Sequence, residues 1–526
     1  MQDKPWFKFW PEGVPKTLDY PEIPLFSILS QAAEKWPDNT AFSLGERKLT
    51  YRELDEVTSR LAAGLNDLGV NIGDKVLLFL NNSIEFVIGY YGILKAGGTV
   101  ATVNPLSRQA ELRHQISDTG ATAIITGTEF YPVIDEVRGG TTVKVVVLAG
   151  NEKAEGVVSL EKILKDYPPS PPEFTVKPKD DTAAIVYTGG TTGLPKGVLL
   201  THYNLIANAM QNAAWFDWND RDIVIGLLPF YHSWGGCTCI NSPVLSGARV
   251  IIIPRFNAGE LLSTIEREKV TVLYGAASMF TTLVNSPELT EYNLSSLRYV
   301  KNGAMPIPPE IRDKWERVTG IKMVLGYGLS EASPEAHNSP QQRIKSATIG
   351  IPTVDTEAKI VDEETGEIEL PPGQSGELII RGPQVMKGYL NCPEDTLEAL
   401  RNGWLYTGDL AMMDEDGYFH ILDRKKETIN YKGYTIAPAE LEAVLYEHPA
   451  VRECAVIGKP DTFAGEIPKA CVVLKSGQTA TGEEIIAFCA ERIAPYKRIR
   501  EVEFIEEVPK TPVGKMLRRV LRDKEK

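Results

Sequence analysis

Long apolar runs are missing from this 526-residue chain. Its most continuous one, Phe86 to Leu94, falls far short of the ~20 residues a helix needs to cross a bilayer. An excess of positive charge is also missing. The 56 Lys and Arg against 70 Asp and Glu leave a net charge of −14, which is not the basic footprint of a general nucleic-acid binder. Cysteine is scarce, with six in all: Cys237, Cys239, Cys392, Cys454, Cys471 and Cys489. They form no C-x-x-C pair, and the histidines complete no zinc spacing, so reduced thiols are expected. The opening MQDKPWFKFWPEG lacks the apolar centre of a signal peptide, and the closing DKEK carries no peroxisomal or lipidation tag. The expectation is a cytoplasmic protein without a transmembrane segment, with peripheral membrane contact left open. Oligomeric state, monomer or homodimer, is open too. There is no internal repeat.

What is present is ordinary for a soluble globular protein: 43% hydrophobic and 24% charged residues. The length exceeds what one compact core holds and predicts two or more domains. Short apolar runs at Lys75–Leu80, Thr99–Val103, Ala121–Thr126, Val143–Ala149, Arg249–Ile253 and Val270–Tyr274 read as buried strands. Helical segments such as Ser83–Ala96 separate them. That alternation predicts an α/β fold with largely parallel sheets covered on both faces. Pro168-Pro169-Ser170-Pro171-Pro172 cannot be regular structure and reads as a linker between subdomains. From Ile351 to Arg381 the pattern changes to short strands and turns, closer to a small antiparallel barrel. After Asp423-Arg424-Lys425-Lys426 the chain reads as a small α+β unit, with helices at Pro438–Tyr446 and Thr481–Arg492 and strands at Ala455–Gly458 and Ala470–Leu474. The expected division is a large N-terminal domain, 1–422, and a small mobile C-terminal domain, 423–526.

The most informative stretch is Ile185-Val186-Tyr187-Thr188-Gly189-Gly190-Thr191-Thr192-Gly193-Leu194-Pro195-Lys196-Gly197-Val198. Its glycines let the backbone fold back and present N–H groups to an anion. The hydroxyls of Thr188, Thr191 and Thr192 add donors, and Lys196 adds a positive charge, a combination suited to a polyphosphate. It is not a Walker A loop, because no glycine is followed directly by Lys and then Ser or Thr.

Tyr187–Gly197 resembles the signature of the adenylate-forming superfamily of acyl- and aryl-CoA ligases, peptide-synthetase adenylation domains and beetle luciferases. The resemblance runs along nearly the whole chain in family order. It takes in Thr50-Tyr51-Arg52-Glu53-Leu54, Pro229-Phe230-Tyr231-His232, Asn302-Gly303-Ala304-Met305-Pro306 and Gly326-Tyr327-Gly328-Leu329-Ser330-Glu331. It goes on through Gly376-Glu377-Leu378, Arg381-Gly382-Pro383, Tyr406-Thr407-Gly408-Asp409, Asp423-Arg424-Lys425-Lys426 and Pro512-Val513-Gly514-Lys515. It implies ATP, Mg²⁺ and CoA as cofactor and co-substrates, a small carboxylic acid as substrate, and a two-step reaction: carboxylate and ATP give an acyl-adenylate and pyrophosphate, then CoA gives acyl-CoA and AMP.

In that chemistry two anions, a carboxylate and the α-phosphate, must meet, so positioning and charge neutralisation carry the catalysis. The resemblance implies that Glu331 accompanies Mg²⁺, a hard cation suited to carboxylate oxygen, and that Ser330 meets the α-phosphate. Thr188, Gly189, Gly190, Thr191, Thr192, Gly193 and Lys196 would hold phosphates. Tyr327 would stack on adenine, with Gly303 and Ala304 passing beneath it and Gly326 and Gly328 flanking. Asp409 would accept from the ribose hydroxyls, and Arg424 would reach the ribose from the hinge side. Lys515 would bridge the substrate carboxylate and the α-phosphate. His232 would gate the acyl pocket and Trp234 would line it. Lys426 falls at the hinge between the domains, and Gly433 would line the pantetheine tunnel.

Gly189, where serine is common, and the Asp423-Arg424-Lys425-Lys426 run are similar to the fatty acyl-CoA synthetase branch. A fatty chain brings ~0.8 kcal/mol per buried methylene, enough for an apolar tunnel to select it. An aryl-CoA ligase of the coumarate or benzoate kind and an enzyme loading a carrier protein are the alternatives. A catalytically dead nucleotide-binding regulator is disfavoured by Glu331, Asp409, Arg424 and Lys515 occurring together.

Overall fold

The structure is a computed structural model that describes residues 4–150, 156–188, 195–304, 307–431, 434–461, 464–493, 495–510 and 516–525. Two large sheets dominate them. A nine-stranded sheet has the order Ile351–Pro352, Glu335–Asn338, Met323–Gly328, Tyr299–Gly303, Val272–Ala276, Ile223–Gly226, Arg249–Ile252, Thr40–Leu44, Arg47–Thr50. An eight-stranded sheet runs Gly388–Tyr389, Lys196–Thr201, Thr182–Thr188, Thr99–Thr102, Lys75–Phe79, Ala123–Gly127, Val145–Ala149, Val158–Ser159. Their central strands pair in parallel and their edges antiparallel, except that the edge strand Val158–Ser159 pairs in parallel with Val145–Ala149.

The side chains of Lys75–Phe79 show how one strand serves two cores. Val76 and Leu78 enter the core shared with the other large sheet, while Leu77 and Phe79 enter a separate core on the opposite face. A period of two with every position apolar is what a doubly covered strand requires. Helix Ile84–Lys95 lies in the shared core and is buried along its whole length, and helix His202–Phe216 is buried along most of its length. Ser83 caps the first by accepting from the Phe86 N–H, and Thr201 with Asn204 forms a reciprocal cap on the second. Trp315, Phe280 and Leu261 pack with Leu273 and Val300 on the outer face of the nine-stranded sheet.

The smaller sheets match the expected change of pattern. Glu357–Val361, Ser375–Arg381, Trp404–Met413 and Leu400–Arg401 form an antiparallel sheet, with Phe419–Arg424 added against Trp404–Met413. Beyond it, Ile429–Tyr431, Tyr434–Ile436, Val451–Asp461, Gly465–Leu474 and Glu501–Phe504 form a sheet whose own core includes Leu441, Val456, Val472 and Ile485. The helix expected at Pro438–Tyr446 is found with those bounds.

One expectation fails. Pro168–Pro172 does not divide subdomains, because helix Leu160–Asp166 before it and strand Thr182–Thr188 after it both belong to the eight-stranded layer. Proline excludes regular structure there, but tertiary packing makes the segment a crossover along one sheet. The six cysteines are free thiols, as expected. No helix among the described residues is long and apolar enough to cross a membrane.

Candidate active site

The candidate residues gather where Tyr299–Gly303, Met323–Gly328 and Thr182–Thr188 end, against the antiparallel sheet that carries Asp409 and Arg424. Crevices at the carboxyl ends of strands are where open α/β sheets bind ligands, because strand ends there release their chains into loops. Asp409 and Arg424 are cross-strand partners in register, so the turn between their strands delivers an anion and a cation side by side.

Asp409 organises the polar corner. It is 3% exposed, and its Oδ1 accepts from Arg424 Nε at 2.9 Å. Its Oδ2 accepts from the Tyr327 hydroxyl at 2.5 Å. Its backbone N–H donates to Thr407 Oγ1, and that hydroxyl donates to the Leu378 carbonyl. Each carboxylate oxygen offers two lone pairs, so both retain capacity for a further donor. Asp409 holds the Arg424 guanidinium pKa above its ordinary value against burial, with help from Tyr327 and Glu331. Burial and the adjacent Asp409 push the Tyr327 phenol well up, so it stays a donor. Behind Tyr327, the His337 ring stands edge-on at 5.8 Å. Burial lowers its pKa to about 3, leaving a neutral imidazole wall.

Glu331 sits in the short turn Ser330–Ala332 and accepts from the Tyr389 hydroxyl at 2.8 Å. Tyr389 in turn presents its ring to Lys196, whose ammonium lies 5.5 Å from the centroid and pairs with Asp395. Lys196 is the cross-strand partner of Thr188, so the stem of the glycine-rich loop and Glu331 share Tyr389 as a bridge. Ser330 is buried against Ser233, their hydroxyls 3.0 Å apart. Among the described residues no group of three or more His, Cys, Asp or Glu could hold a metal by itself. A lone carboxylate is still a fitting donor set for Mg²⁺, which takes one or two carboxylates together with substrate phosphates.

His232 caps the helix Ser233–Gly236, its Nδ1 accepting from the Trp234 N–H at 3.2 Å. A ring nitrogen that accepts carries no proton, so the neutral ring holds its hydrogen at Nε2. Trp234, buried, lies so close to Gly303 that a Cβ there would come within 2.8 Å of the indole. His232, Trp234, Gly303, Ala304, Gly326, Tyr327 and Gly328 line one cavity of about 50 Å³. Small-molecule pockets usually measure ~300–1,000 Å³, so this one is too small to hold a whole substrate as it stands. Gly328 has a packing reason of its own: a Cβ would meet the Pro334 carbonyl oxygen at 2.3 Å. Ala304 holds a left-handed φ of +65°.

Gly189, Gly190, Thr191, Thr192, Gly193, Gly433 and Lys515 lie outside the described residues. Lys426 is in the short turn Lys425–Glu427, its side chain likewise outside the description. Sequence reasoning missed Tyr389 and a buried pair at the cavity floor, Lys301 with Glu335. A lysine inside the apolar strand Tyr299–Gly303 was the visible sign of the pair. Nothing near Tyr389 marked it, since its role comes from strand pairing with Lys196–Thr201.

The AMP-binding enzyme model matches residues 29–390, and its C-terminal domain model matches 440–515. The chain belongs to the AMP-binding enzyme family. This AMP-binding enzyme is 41% identical to a long-chain-fatty-acid–CoA ligase of Bacillus subtilis (strain 168), covering 100% of this chain and 99% of that ligase. It is 36% identical to 4-coumarate–CoA ligase 5 of Oryza sativa subsp. japonica, over 90% of this chain and 89% of that one. The solved structure of ATP-bound MatB from Rhodopseudomonas palustris superposes with a TM-score of 0.88 at 29% identity, covering 95% of this chain and 98% of MatB. As an AMP-forming acid–thiol ligase, the enzyme consumes ATP and CoA together with a small-molecule acid.

Proposed function

We propose that this enzyme activates a fatty acid, with residues 1–422 holding ATP and the acid and residues 423–526 closing over them. The constellation of Tyr327, Asp409 and Arg424 carries the reading. It is a preassembled corner of donors and acceptors suited to a nucleoside, and it costs no reorganisation when the substrate arrives. The full-length identity to ligases named for long-chain fatty acids supports the choice of acid.

The substrate carboxylate oxygen attacks the α-phosphorus of ATP, the bond to the β-phosphate breaks, and pyrophosphate leaves. Asp409 and Arg424 hold the ribose, Tyr327 the adenine, and Thr188 with Lys196 the phosphates at the stem of the loop. Magnesium, when bound, neutralises phosphate charge, and Glu331, oriented by Tyr389, is the residue to hold it. Lys515 brings its ammonium to the developing charge between the two anions. In the second step the CoA sulfur attacks the acyl carbonyl, its proton is released, and AMP departs. Lys426 is the hinge for the rotation between the steps, and Gly433 keeps the thiol's path clear. His232, fixed by its cap, and Trp234, wedged on Gly303, close the acyl cavity and must move to admit a chain.

Aryl acids are a second reading, favoured by the similarity to a 4-coumarate ligase. The test is acid-dependent pyrophosphate release over a series of fatty and aryl acids, with and without CoA. Release that peaks with a fatty acid and yields its acyl-CoA is expected. A peak with an aryl acid overturns the fatty-acid assignment, and turnover without CoA overturns the ligase assignment.

A further inference from the structure

Helix Gln109–Thr119 touches both flanks of the glycine-rich loop. It buries Leu112 and Ile116, one turn apart, in the core that also receives Leu77 and Phe79, and Tyr187 and Leu390 pack against the same cluster. His114 and Asp118, likewise one turn apart and half-buried, lie beside that stripe and meet the chain on either side of the loop. Asp118 Oδ2 accepts from the Tyr187 hydroxyl at 2.7 Å. Burial and the adjacent Asp118 push the Tyr187 phenol up, so it stays a donor. His114 stands edge-on to the Tyr187 ring at 6.2 Å, and its Nε2 lies 3.2 Å from the Pro195 carbonyl oxygen. A carbonyl only accepts, so that nitrogen carries the hydrogen.

Asp118 also holds a third piece of chain. Asn391 Nδ2 donates to its Oδ1 at 3.0 Å and to its backbone carbonyl at 2.8 Å. Asn391 has a left-handed φ of +53°, which asparagine adopts more readily than most residues. Each of the three partners adjoins a residue of the phosphate end of the site. Tyr187 directly precedes Thr188, Pro195 directly precedes Lys196, and Thr188 and Lys196 are cross-strand partners. Asn391 stands two residues after Tyr389, whose hydroxyl holds Glu331.

We propose that His114 and Asp118 are positioning residues for the adenylation step, which act through Tyr187 and Pro195 to set where Thr188 and Lys196 meet the triphosphate. This rests on the ligase reading above and adds to it residues that work at one remove. A misplacement of about 1 Å, even from a change outside the chemistry, can cost ~10²-fold in rate. The second half-reaction supplies the control, because an acyl-adenylate carries only the α-phosphate and has no pyrophosphate for the stem of the loop to hold.

The test measures both half-reactions of the full-length enzyme: pyrophosphate release from ATP and Mg²⁺ with the acid it uses best, and acyl-CoA formation from supplied acyl-adenylate and CoA. Asp118→Ala removes a charged acceptor and should lower the first about 10–100-fold, with KM for ATP raised, and leave the second within about twofold. His114→Leu should lower the first about threefold to tenfold, and His114→Gln, which keeps an N–H donor, should recover most of that loss. Equal loss in both half-reactions overturns the positioning role, as does an Asp118→Ala enzyme that releases pyrophosphate like the wild type. Should Asp118→Ala fail to fold, the His114 pair decides, and a Gln variant no better than Leu overturns the role. Wild-type enzyme that releases no pyrophosphate with any acid overturns the ligase reading, and the positioning role with it.

Discussion

The nucleotide corner and the acyl floor lie a few residues apart on the same strand ends, yet they are built in opposite ways. In the corner every charge is answered: Asp409 by Arg424 and Tyr327, Glu331 by Tyr389, Lys196 by Asp395. On the floor, Lys301 and Glu335 answer each other, and the cavity above them is small. A ligand common to a whole family can be met by a rigid, satisfied surface. A variable acid calls for side chains that move.

The sharpest way to break this contrast lies in the chemistry above both regions. Lys515→Ala is expected to lower acyl-adenylate formation ~10²–10³-fold while leaving thioester formation from supplied acyl-adenylate largely intact. Equal loss in both half-reactions, measured separately by rapid quench, would remove the role given to that lysine.

Next in size is Asp409→Asn, which takes the charge from a carboxylate paired with Arg424. Loss of about 10²-fold in kcat/KM for ATP is expected, since charge-assisted bonds of this kind are worth about 1.5–3 kcal/mol each. A variant within threefold of the wild type would mean that the corner's satisfaction is structural and serves no nucleotide.

Trp234→Leu probes the other side. Clearing the indole from Gly303 should enlarge the small cavity and shift kcat/KM for long acids by about tenfold, with KM for ATP almost unchanged. A parallel change in the ATP constant would show that the two regions are not separable.

The smallest effect is expected at the join with the C-terminal part. Arg518 takes Glu442 in a bidentate grip at 2.9 and 2.6 Å, pairs with Glu427, and reaches Asp423 at 3.4 Å. Burial raises the Asp423 carboxyl to about 6, against the pull of Arg518. Folded Asp423 therefore binds its proton more tightly than unfolded Asp423. Its contribution to stability is whole below about pH 4, drains away as pH climbs towards 6, and stays lost above that. Asp423→Asn cannot ionise, so its Tm relative to the wild type should rise by a few °C between pH 4 and 6 and then level off. A difference in Tm that does not vary with pH would show that Asp423 titrates normally.

Legibility followed the same divide. Tyr327, Glu331, Asp409 and Arg424 were readable because each lies inside a short ordered motif, Tyr327 and Arg424 at strand ends, Glu331 in the turn Ser330–Ala332 and Asp409 within Trp404–Met413. Tyr389 was not readable, because it reaches Glu331 only through the antiparallel pairing of Gly388–Tyr389 with Lys196–Thr201. The proline-rich stretch at 168–172 was misread because composition reports what a segment cannot be, and says nothing of which sheet its two ends join.

By itself the amino-acid order determined the alternation of strands and helices, the loop built for phosphate, and the family chemistry that follows from them, since all of these are encoded by near neighbours. Only the tertiary structure decided that Lys301 and Glu335 would meet at the cavity wall. They stand on strands Tyr299–Gly303 and Glu335–Asn338, with Met323–Gly328 between the two, so their contact depends on sheet order and register, and side chains that far apart in sequence acquire a common environment only when the sheet closes.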